Sequence, residues 1–334
     1  MCSLGGAKKK RKKGGIAMVR RVMLVLLALA VVGSPLWGQE YPARPVTIIV
    51  PWAPGGSTDL TARALAPVLE RELKVPVQVV NRTGGGGAVG HGAIARARPD
   101  GYTIGIITLE VVLPAWVAQT KIESSQFTPI SLLVLNPVSV VVRRDAKWRT
   151  IQELIADLKA GPGRFKASGT ARFGSYDYAR LGFLRMLGLG DAALPWVPAQ
   201  GAASALQELV AGGVDVGFVA IGEASGLVRS GEARYLAFMT ERRFPGFIDV
   251  PTLREVGVDW TFASFLMAAG PKGLAADVAE RLDRAFARAV ADQEFIRFMN
   301  NANLVVAYLG RTKAREFLEE RARTMRRVHE EVTR

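Results

Sequence analysis

Residues 46–73 read VTIIVPWAPGGSTDLTARALAPVLEREL, and a short β-strand pattern is followed there by a glycine-rich turn and a helix pattern. The run at 46–50 is apolar and β-branched, which favours a buried strand. The apolar positions of the helix pattern recur at intervals of three and four residues, as on one face of a helix: Ala62, Leu65, Ala66, Leu69 and Leu73. The segment therefore predicts a strand and a helix joined by a glycine-rich loop.

The same alternation of strand and helix patterns continues to the C-terminus. A second apolar helix stripe lies near the end of the chain, at Val278, Leu282, Ala285, Phe286 and Ala289. Further strand patterns lie at 77–80, 102–108, 131–135, 139–142, 164–167, 214–220, 234–239 and 262–269. Alternation of this kind predicts an α/β fold with mainly parallel sheets flanked by helices.

Two segments look like crossings between domains. Pro137 separates two adjacent strand patterns, and proline is excluded from the centre of a sheet. Residues 242–251 hold two prolines and no helical period. We therefore predict one domain from 39–137 plus 246–334 and a second from 138–245, joined by a two-segment hinge.

The net charge of +14 is concentrated at the front of the chain. The sequence has 334 residues, with 44 Lys and Arg against 30 Asp and Glu. Eight of the basic residues and no acid lie in residues 1–38, and the remainder of the chain carries only +6. The charge is therefore no evidence for a nucleic-acid partner. One Cys and two His exclude a Cys/His zinc site and a dense disulfide framework.

Residues 1–38 have the layout of a signal peptide. An 11-residue apolar run follows the basic residues and is too short to span a bilayer. We predict export with cleavage near Gly38; an uncleaved anchor is the alternative. Met18 precedes an ordinary short signal sequence, so residues 1–17 are a candidate for a mis-assigned start.

Four loops between strands and helices are rich in small residues, and ligands of open α/β sheets bind at the carboxyl ends of the strands. The loops read PWAPGGSTD at 51–59, NRTGGGGAVG at 81–90, SGTARFGS at 168–175 and PAQGA at 198–202. Helix N-termini at such loops offer free N–H groups to an anion without any cationic side chain. Turn chemistry alone explains any single loop, but four in corresponding positions favour a ligand site.

A dinucleotide enzyme is the alternative function. Gly85, Gly87 and Gly90 match the G-x-G-x-x-G fingerprint, and Glu110 follows after twenty residues. That fingerprint normally occupies the first strand-to-helix turn, where another glycine loop already stands. A serine hydrolase is not supported either, because no serine lies in a G-x-S-x-G motif and His91 only follows the second glycine loop. We therefore predict a binding protein with no catalytic residues, no metal and no cofactor.

The loop motifs together resemble those of the tripartite tricarboxylate transporter substrate-binding receptors, also called Bug-type receptors. Besides the first and second loops, the shared motifs are PDGYT at 99–103, VPAQG at 197–201, GGVD at 212–215 and VPTLREVG at 250–257. The resemblance implies a two-domain, type II-like periplasmic binding protein that closes a cleft on a small di- or tricarboxylate. It also implies a monomer that delivers its ligand to membrane transporter subunits.

The resemblance also implies which residues face the cleft. By position in the family motifs they are Ala53, Gly56, Ser57, Gly87, Ala88, Thr108, Ser168 and Gly201. Neighbours in the same loops and motifs complete the predicted site: Gly169, Thr170, Ser175, Gln200 and Asp215. At the motif positions where many members of the family have a histidine or an arginine, this chain has other residues. Arg172 or Glu110 could therefore supply a different ligand contact. The alternative for both is a solvated loop charge.

Overall fold

The computed structural model describes residues 1–3 and 41–333. The chain divides into two compact units, residues 1–40 and 41–334. Residues 1–3 are exposed and have no regular structure. The predicted signal peptide, its cleavage site and Met18 lie outside the described residues. Everything below concerns the second unit.

The second unit alternates strands and helices. The strands are β1 Val46–Val50, β2 Val77–Asn81, β3 Thr103–Thr108, β4 Phe127–Arg143, β5 Ala167–Ser168, β6 Trp196–Val197, β7 Val216–Ala220, β8 Ala233–Phe238, β9 Ala263–Pro271 and β10 Val305–Leu309. The helices are α1 Ser57–Leu73, α2 Ala88–Ala95, α3 Pro114–Thr120, α4 Ile151–Ala160, α5 Ser175–Met186, α6 Ala202–Ala211, α7 Ile221–Arg229, α8 Ala276–Val290, α9 Gln293–Asn301 and α10 Arg311–Thr333. Each predicted strand overlaps one of the observed strands. The strand patterns in the sequence do not predict β6 or β10.

The strands run in the order β2-β1-β3-β9-β4-β7-β5-β6, and β8 and β10 also pair with β4. β1 pairs in parallel with β2 and β3, and β5 pairs in parallel with β6 and β7. The prediction of mainly parallel sheets is wrong for every pair that includes β4 or β9, because these are antiparallel. The reason is topological: β4 carries the chain out of the first set of strands and β9 carries it back.

β4 passes without interruption through Pro137, so the predicted break at this proline is wrong. The pairing of β4 with β10 ends at Leu135, and its pairing with β7 begins at Val138. The Val138 N–H donates to the Phe262 carbonyl on the opposite side. The missing N–H of Pro137 therefore falls in the gap between two partner strands, where the sheet loses no hydrogen bond.

The apolar core occupies both faces of β1 and its neighbouring strands. On β1, Ile48 belongs to a cluster with Leu65 of α1 and Phe286 of α8, whereas Ile49 belongs to a second cluster. That second cluster continues to Phe218 of β7. Successive strand residues face opposite sides, so the neighbouring apolar residues Ile48 and Ile49 pack into the core on both faces of β1. The two predicted helix stripes are confirmed as core-facing.

None of the described helices combines the length and apolar character that a membrane crossing requires.

Candidate functional site

A small cavity with about 30 Å³ of free volume lies where the loops after β1, β3 and β7 meet the loops before α5 and α6. Most of the lining residues have polar side chains, and two glycine loops contribute to the wall. Its residues are Trp52, Ala53, Gly56, Ser57, Thr58, Thr108, Glu110, Asn136, Thr170, Ser175, Tyr176, Gly201, Ala202, Glu223, Ser264 and Leu266.

The first loop is held in shape by Asp59 at the start of α1. Its carboxylate accepts hydrogen bonds from the Gly55 N–H (3.0 Å), from Arg63 Nε (3.0 Å) and from Asn81 Nδ2 (2.8 Å). Gly55 has a φ of 87°, which favours glycine. Burial opposes ionisation of Asp59, but these hydrogen bonds prevail and lower its pKa below the usual value. The loop is thus fixed from behind, with Ser57 left at the cavity wall.

The N-terminus of α1 already holds a carboxylate of the chain itself. Glu223, in the first turn of α7, accepts hydrogen bonds from the Ser57 N–H (3.0 Å), the Tyr176 hydroxyl (2.7 Å) and the Ala220 N–H (3.1 Å). Burial and the charge of Glu223 raise the pKa of Tyr176, which keeps its hydroxyl protonated. Glu223 therefore joins the first loop to α5 and α7.

The N-terminus of α5 holds a second internal carboxylate, Glu110. Its Oε1 accepts hydrogen bonds from the Ser175 N–H (2.8 Å) and the Ser175 hydroxyl (2.7 Å). Its Oε2 accepts a short hydrogen bond from the Thr108 hydroxyl. Glu110 is completely buried. Of the two alternatives for Glu110, a solvated loop charge is therefore wrong.

The N-terminus of α6 has no such partner among residues 41–333. Its N-cap is Gly201, and no side chain caps the helix. Gly201 and Ala202 both line the cavity, so the first-turn N–H groups of α6 lie at its wall. Two buried side-chain oxygens in the lining, Asn136 Oδ1 and Thr170 Oγ1, have no hydrogen-bond partner in the described part of the chain. The cavity thus offers both free donors and free acceptors.

The second loop lies behind the cavity wall and packs against lining residues. Its Gly87 and Ala88 lie outside the lining, and Trp52 packs against Gly87. The Gly87 carbonyl is 2.8 Å from His91 Nδ1, and the Thr108 N–H donates to His91 Nε2 (3.2 Å). Nε2 is therefore the acceptor and Nδ1–H the donor. Burial lowers the pKa of His91, in agreement with this neutral form.

Close packing explains Gly90 of the dinucleotide fingerprint and the nearby Gly86. A Cβ on Gly90 would lie 2.4 Å from Pro51 Cα and 2.7 Å from the Arg82 carbonyl oxygen. A Cβ on the neighbouring Gly86 would lie 2.5 Å from Ala171 Cβ. These glycines bring the second loop against the first and third loops.

The structure brings seven of the predicted site residues together in the cavity: Ala53, Gly56, Ser57, Thr108, Thr170, Ser175 and Gly201. Ser168 is buried and donates to the Val197 carbonyl (2.7 Å). A Cβ on Gly169 would lie 2.2 Å from the Phe218 carbonyl oxygen, so this glycine serves packing. Gln200 lines a neighbouring cleft with Arg172.

Asp215 and Arg172 lie away from the cavity lining. Asp215 precedes β7, at the opposite end of the strand from Ala220, and accepts a hydrogen bond from the Lys166 N–H (2.8 Å). Arg172 pairs with the buried Asp177 (2.8 Å) and with Asp191. Its charge is committed to this ion-pair cluster, so its cavity role in the sequence analysis has no geometric support.

Sequence reasoning missed several lining residues, above all Glu223, Tyr176 and Asn136. Glu223 had one available signal, because it follows the carboxyl end of a predicted strand as the glycine loops do. Asn136 was passed over because its strand was expected to end at Pro137. Tyr176 directly follows Ser175, which was predicted.

The lining holds side-chain and backbone groups that can form hydrogen bonds to a small molecule. It contains no Lys, Arg or His among the described residues, and His91 lies behind the wall. Within residues 1–3 and 41–333 no three or more His, Cys, Asp or Glu side chains are placed to hold a metal ion.

Comparison with known proteins shows which proteins the chain is similar to. The model of the tripartite tricarboxylate transporter family receptor matches residues 61–333. Protein BugT of Bordetella pertussis is 34% identical over 75% of this chain and 78% of its own. The solved periplasmic binding protein BugD is 26% identical, with a TM-score of 0.78 over 86% of this chain and 98% of BugD.

A third relative, MatC from Rhodopseudomonas palustris, was solved with bound malate. It is 25% identical, with a TM-score of 0.79 over 87% of this chain and all of MatC (100%). The family resemblance and the solute-binding α/β fold are confirmed by these matches. The chain belongs to the tripartite tricarboxylate transporter receptor family, a family of solute-binding receptors.

Proposed function

We propose that this protein is a periplasmic receptor that captures a small organic carboxylate and delivers it to the membrane subunits of a tripartite transporter. The observation that carries the proposal is the uncapped N-terminus of α6 at the cavity wall, at Gly201 and Ala202. Backbone N–H groups there attract a carboxylate without a basic side chain. Malate bound to MatC supports a carboxylate ligand.

The proposal includes capture by closure of two domains, 39–137 plus 246–334 and 138–245. Its support is that the lining comes from both: Ser57 and Glu110 belong to the first, and Tyr176 and Glu223 to the second. The Ser57 to Glu223 hydrogen bond joins them directly. A ligand that touches both walls stabilises the closed form because it gains contacts there that the open form lacks.

A thermal unfolding screen of the exported protein tests the binding step. The panel contains malate, succinate, adipate, citrate, aspartate and glutamate, each in large excess. A ligand at a hundred times its dissociation constant adds about 2.7 kcal/mol to the free energy of unfolding. A rise in Tm with at least one carboxylate is expected, and Gly201→Trp should abolish it. Absence of any shift across the panel would refute the proposal.

Uptake measurements test the delivery step. Cells that lack this receptor but retain the membrane subunits should lose uptake of the radiolabelled ligand found in the screen. Restoring the receptor should restore uptake, while the Gly201→Trp variant should not. Unchanged uptake without the receptor would refute the transport role.

A further inference from the structure

A second concave surface, the α10 groove, lies between one face of α10 and the first residues of β4. It has about 580 Å³ of free volume. Residues just before β4 and Lys272, just after β9, form its other side. Its residues on α10 recur every three or four positions, which places them on one face of the helix: Arg315, Leu318, Glu319, Ala322, Arg323 and Arg326.

The charge of the α10 groove is strongly positive. It contains one acid, Glu319, and four basic residues: Lys272, Arg315, Arg323 and Arg326. The resulting +3 is half of the net charge of +6 that residues 39–334 carry. All four basic residues are exposed, and within residues 41–333 none of them has a carboxylate at ion-pair distance. Their charge is therefore available to an anionic partner.

The base of the α10 groove is apolar. Phe127 and Leu318 line it but are only 6% and 4% exposed, so they lie deeper than the basic residues at its edges. Pro129 is also buried there, and Ala322 is half-buried. A small inorganic anion would leave this base uncovered, and a flat bilayer surface cannot reach it. The groove fits a chain that combines negative charge with an apolar side chain.

The length of the groove suits a short extended peptide. Arg315 and Arg326 are eleven residues apart on α10, which corresponds to about 16 Å along the helix axis. An extended chain of about five residues covers that distance.

The groove lies well away from the ligand cavity. Leu266 of β9 lines the cavity, whereas Pro271, five residues further along the same strand, pairs with Phe127 of the groove. Five residues of strand span about 17 Å. A partner in the groove therefore leaves the cavity free.

We propose that the α10 groove docks an extended acidic segment of a partner protein. Aspartate or glutamate side chains of that segment pair with the four basic residues, and one apolar side chain covers Phe127 and Leu318. Complementary charge speeds association and selects the partner, and burial of the apolar side chain stabilises the complex. The inference goes beyond the proposed function, because no residue of the groove lines the ligand cavity.

Peptide titrations followed by fluorescence anisotropy test the proposal on the exported protein. The probes are a short glutamate peptide with one central leucine, the same peptide with glutamine for glutamate, and the same peptide with serine for leucine. The first should bind at least about tenfold more tightly than either of the others, and added salt should weaken it because exposed charges are screened. If either replacement leaves the affinity unchanged, or if no peptide binds, the proposal is wrong.

Charge reversal on α10 locates the binding surface. The double variant Arg315→Glu with Arg323→Glu should weaken binding of the glutamate peptide by about tenfold or more. The matched control is Lys313→Glu with Arg327→Glu, because both residues are exposed on α10 but lie outside the groove lining. The control should bind the peptide as the wild type does. Equal affinities of the two double variants would contradict the proposal.

Two further measurements separate this proposal from its alternatives. Sedimentation with phosphatidylglycerol vesicles tests a lipid partner: protein that binds these vesicles but not the glutamate peptide would overturn the proposal. Gly201→Trp, which fills the ligand cavity, should bind the glutamate peptide as tightly as the wild type. Loss of peptide binding in this variant would show that the peptide occupies the cavity and would also overturn the proposal. A failed carboxylate screen, by contrast, affects only the proposed function.

Discussion

Replacing Asp59 by asparagine should destabilise the protein, because one carboxylate holds the whole first loop. Asp59 is 3% exposed and accepts from Gly55, Arg63 and Asn81. Asparagine keeps one oxygen, so its NH₂ group must face one of these donors and a charge-assisted bond is lost. Hydrogen bonds to charged groups contribute roughly 1.5–3 kcal/mol, so we expect a loss of about 2 kcal/mol at pH 7.

Urea unfolding monitored by circular dichroism measures this loss. With a slope of roughly 3 kcal/mol per molar urea, the midpoint should fall by about 0.7 M. The folded-state pKa of Asp59 is lowered, so its contribution is present above the unfolded value and disappears as pH falls through the folded value. The difference between wild type and variant should therefore be constant from pH 7 to 5 and shrink below pH 4.

The matched control is Asp145→Asn. Asp145 also pairs with an arginine, Arg143, but its side chain is 72% exposed. Water replaces the partner of an exposed charge, so little change in the midpoint is expected. If Asp59→Asn behaves like this control at pH 7, or if its deficit persists unchanged at low pH, Asp59 does not hold the loop as an ionised acceptor.

Two further predictions concern the packing of α5 and the buried histidine. Gly182→Ala in α5 should lower the free energy of unfolding by about 1–3 kcal/mol, because the new Cβ would lie 1.9 Å from Trp260 Cζ2. The control is Gly226→Ala in α7, where nothing lies within 4 Å of the new Cβ, and this variant should raise the melting temperature slightly. Equal effects of the two variants would contradict the packing argument. His91 is kept neutral by burial, so wild type should lose up to about 1.4 kcal/mol per pH unit below pH 6.5. His91→Gln should lack this slope in thermal unfolding between pH 7.5 and 5.5, and an equal slope in both proteins would refute the assignment.

Local patterns predicted the elements and the general position of the site. The stripe from Ala62 to Leu73 is the buried face of α1, and the loops at 51–59 and 168–175 both supply cavity residues. These features depend on neighbours in sequence, such as helix periodicity and turn chemistry, which one sequence contains in full.

The rest depends on contacts between distant segments. Ser57 and Glu223 are 166 residues apart in the sequence. Nothing near either residue indicates that the Glu223 carboxylate will accept a hydrogen bond from the N-terminus of α1. Pro137 resembles a strand break in the sequence. Its position between the partner strands β10 and β7 can be recognised only from the three-dimensional arrangement of those strands. Asp215 was included through a motif match, although it precedes its strand and so lies at the far end.

The continuous strand β4 has a consequence for how the chain must be made. Its first half needs β9 as a neighbour, yet β5 to β8 are synthesised between them. Leu132, Leu133 and Val134 are fully covered in the finished molecule but have no β9 partner while the chain is still emerging. An unpaired apolar strand edge is prone to aggregation. We therefore expect the nascent chain to be prone to aggregation at this strand edge until residues 263–271 have been synthesised.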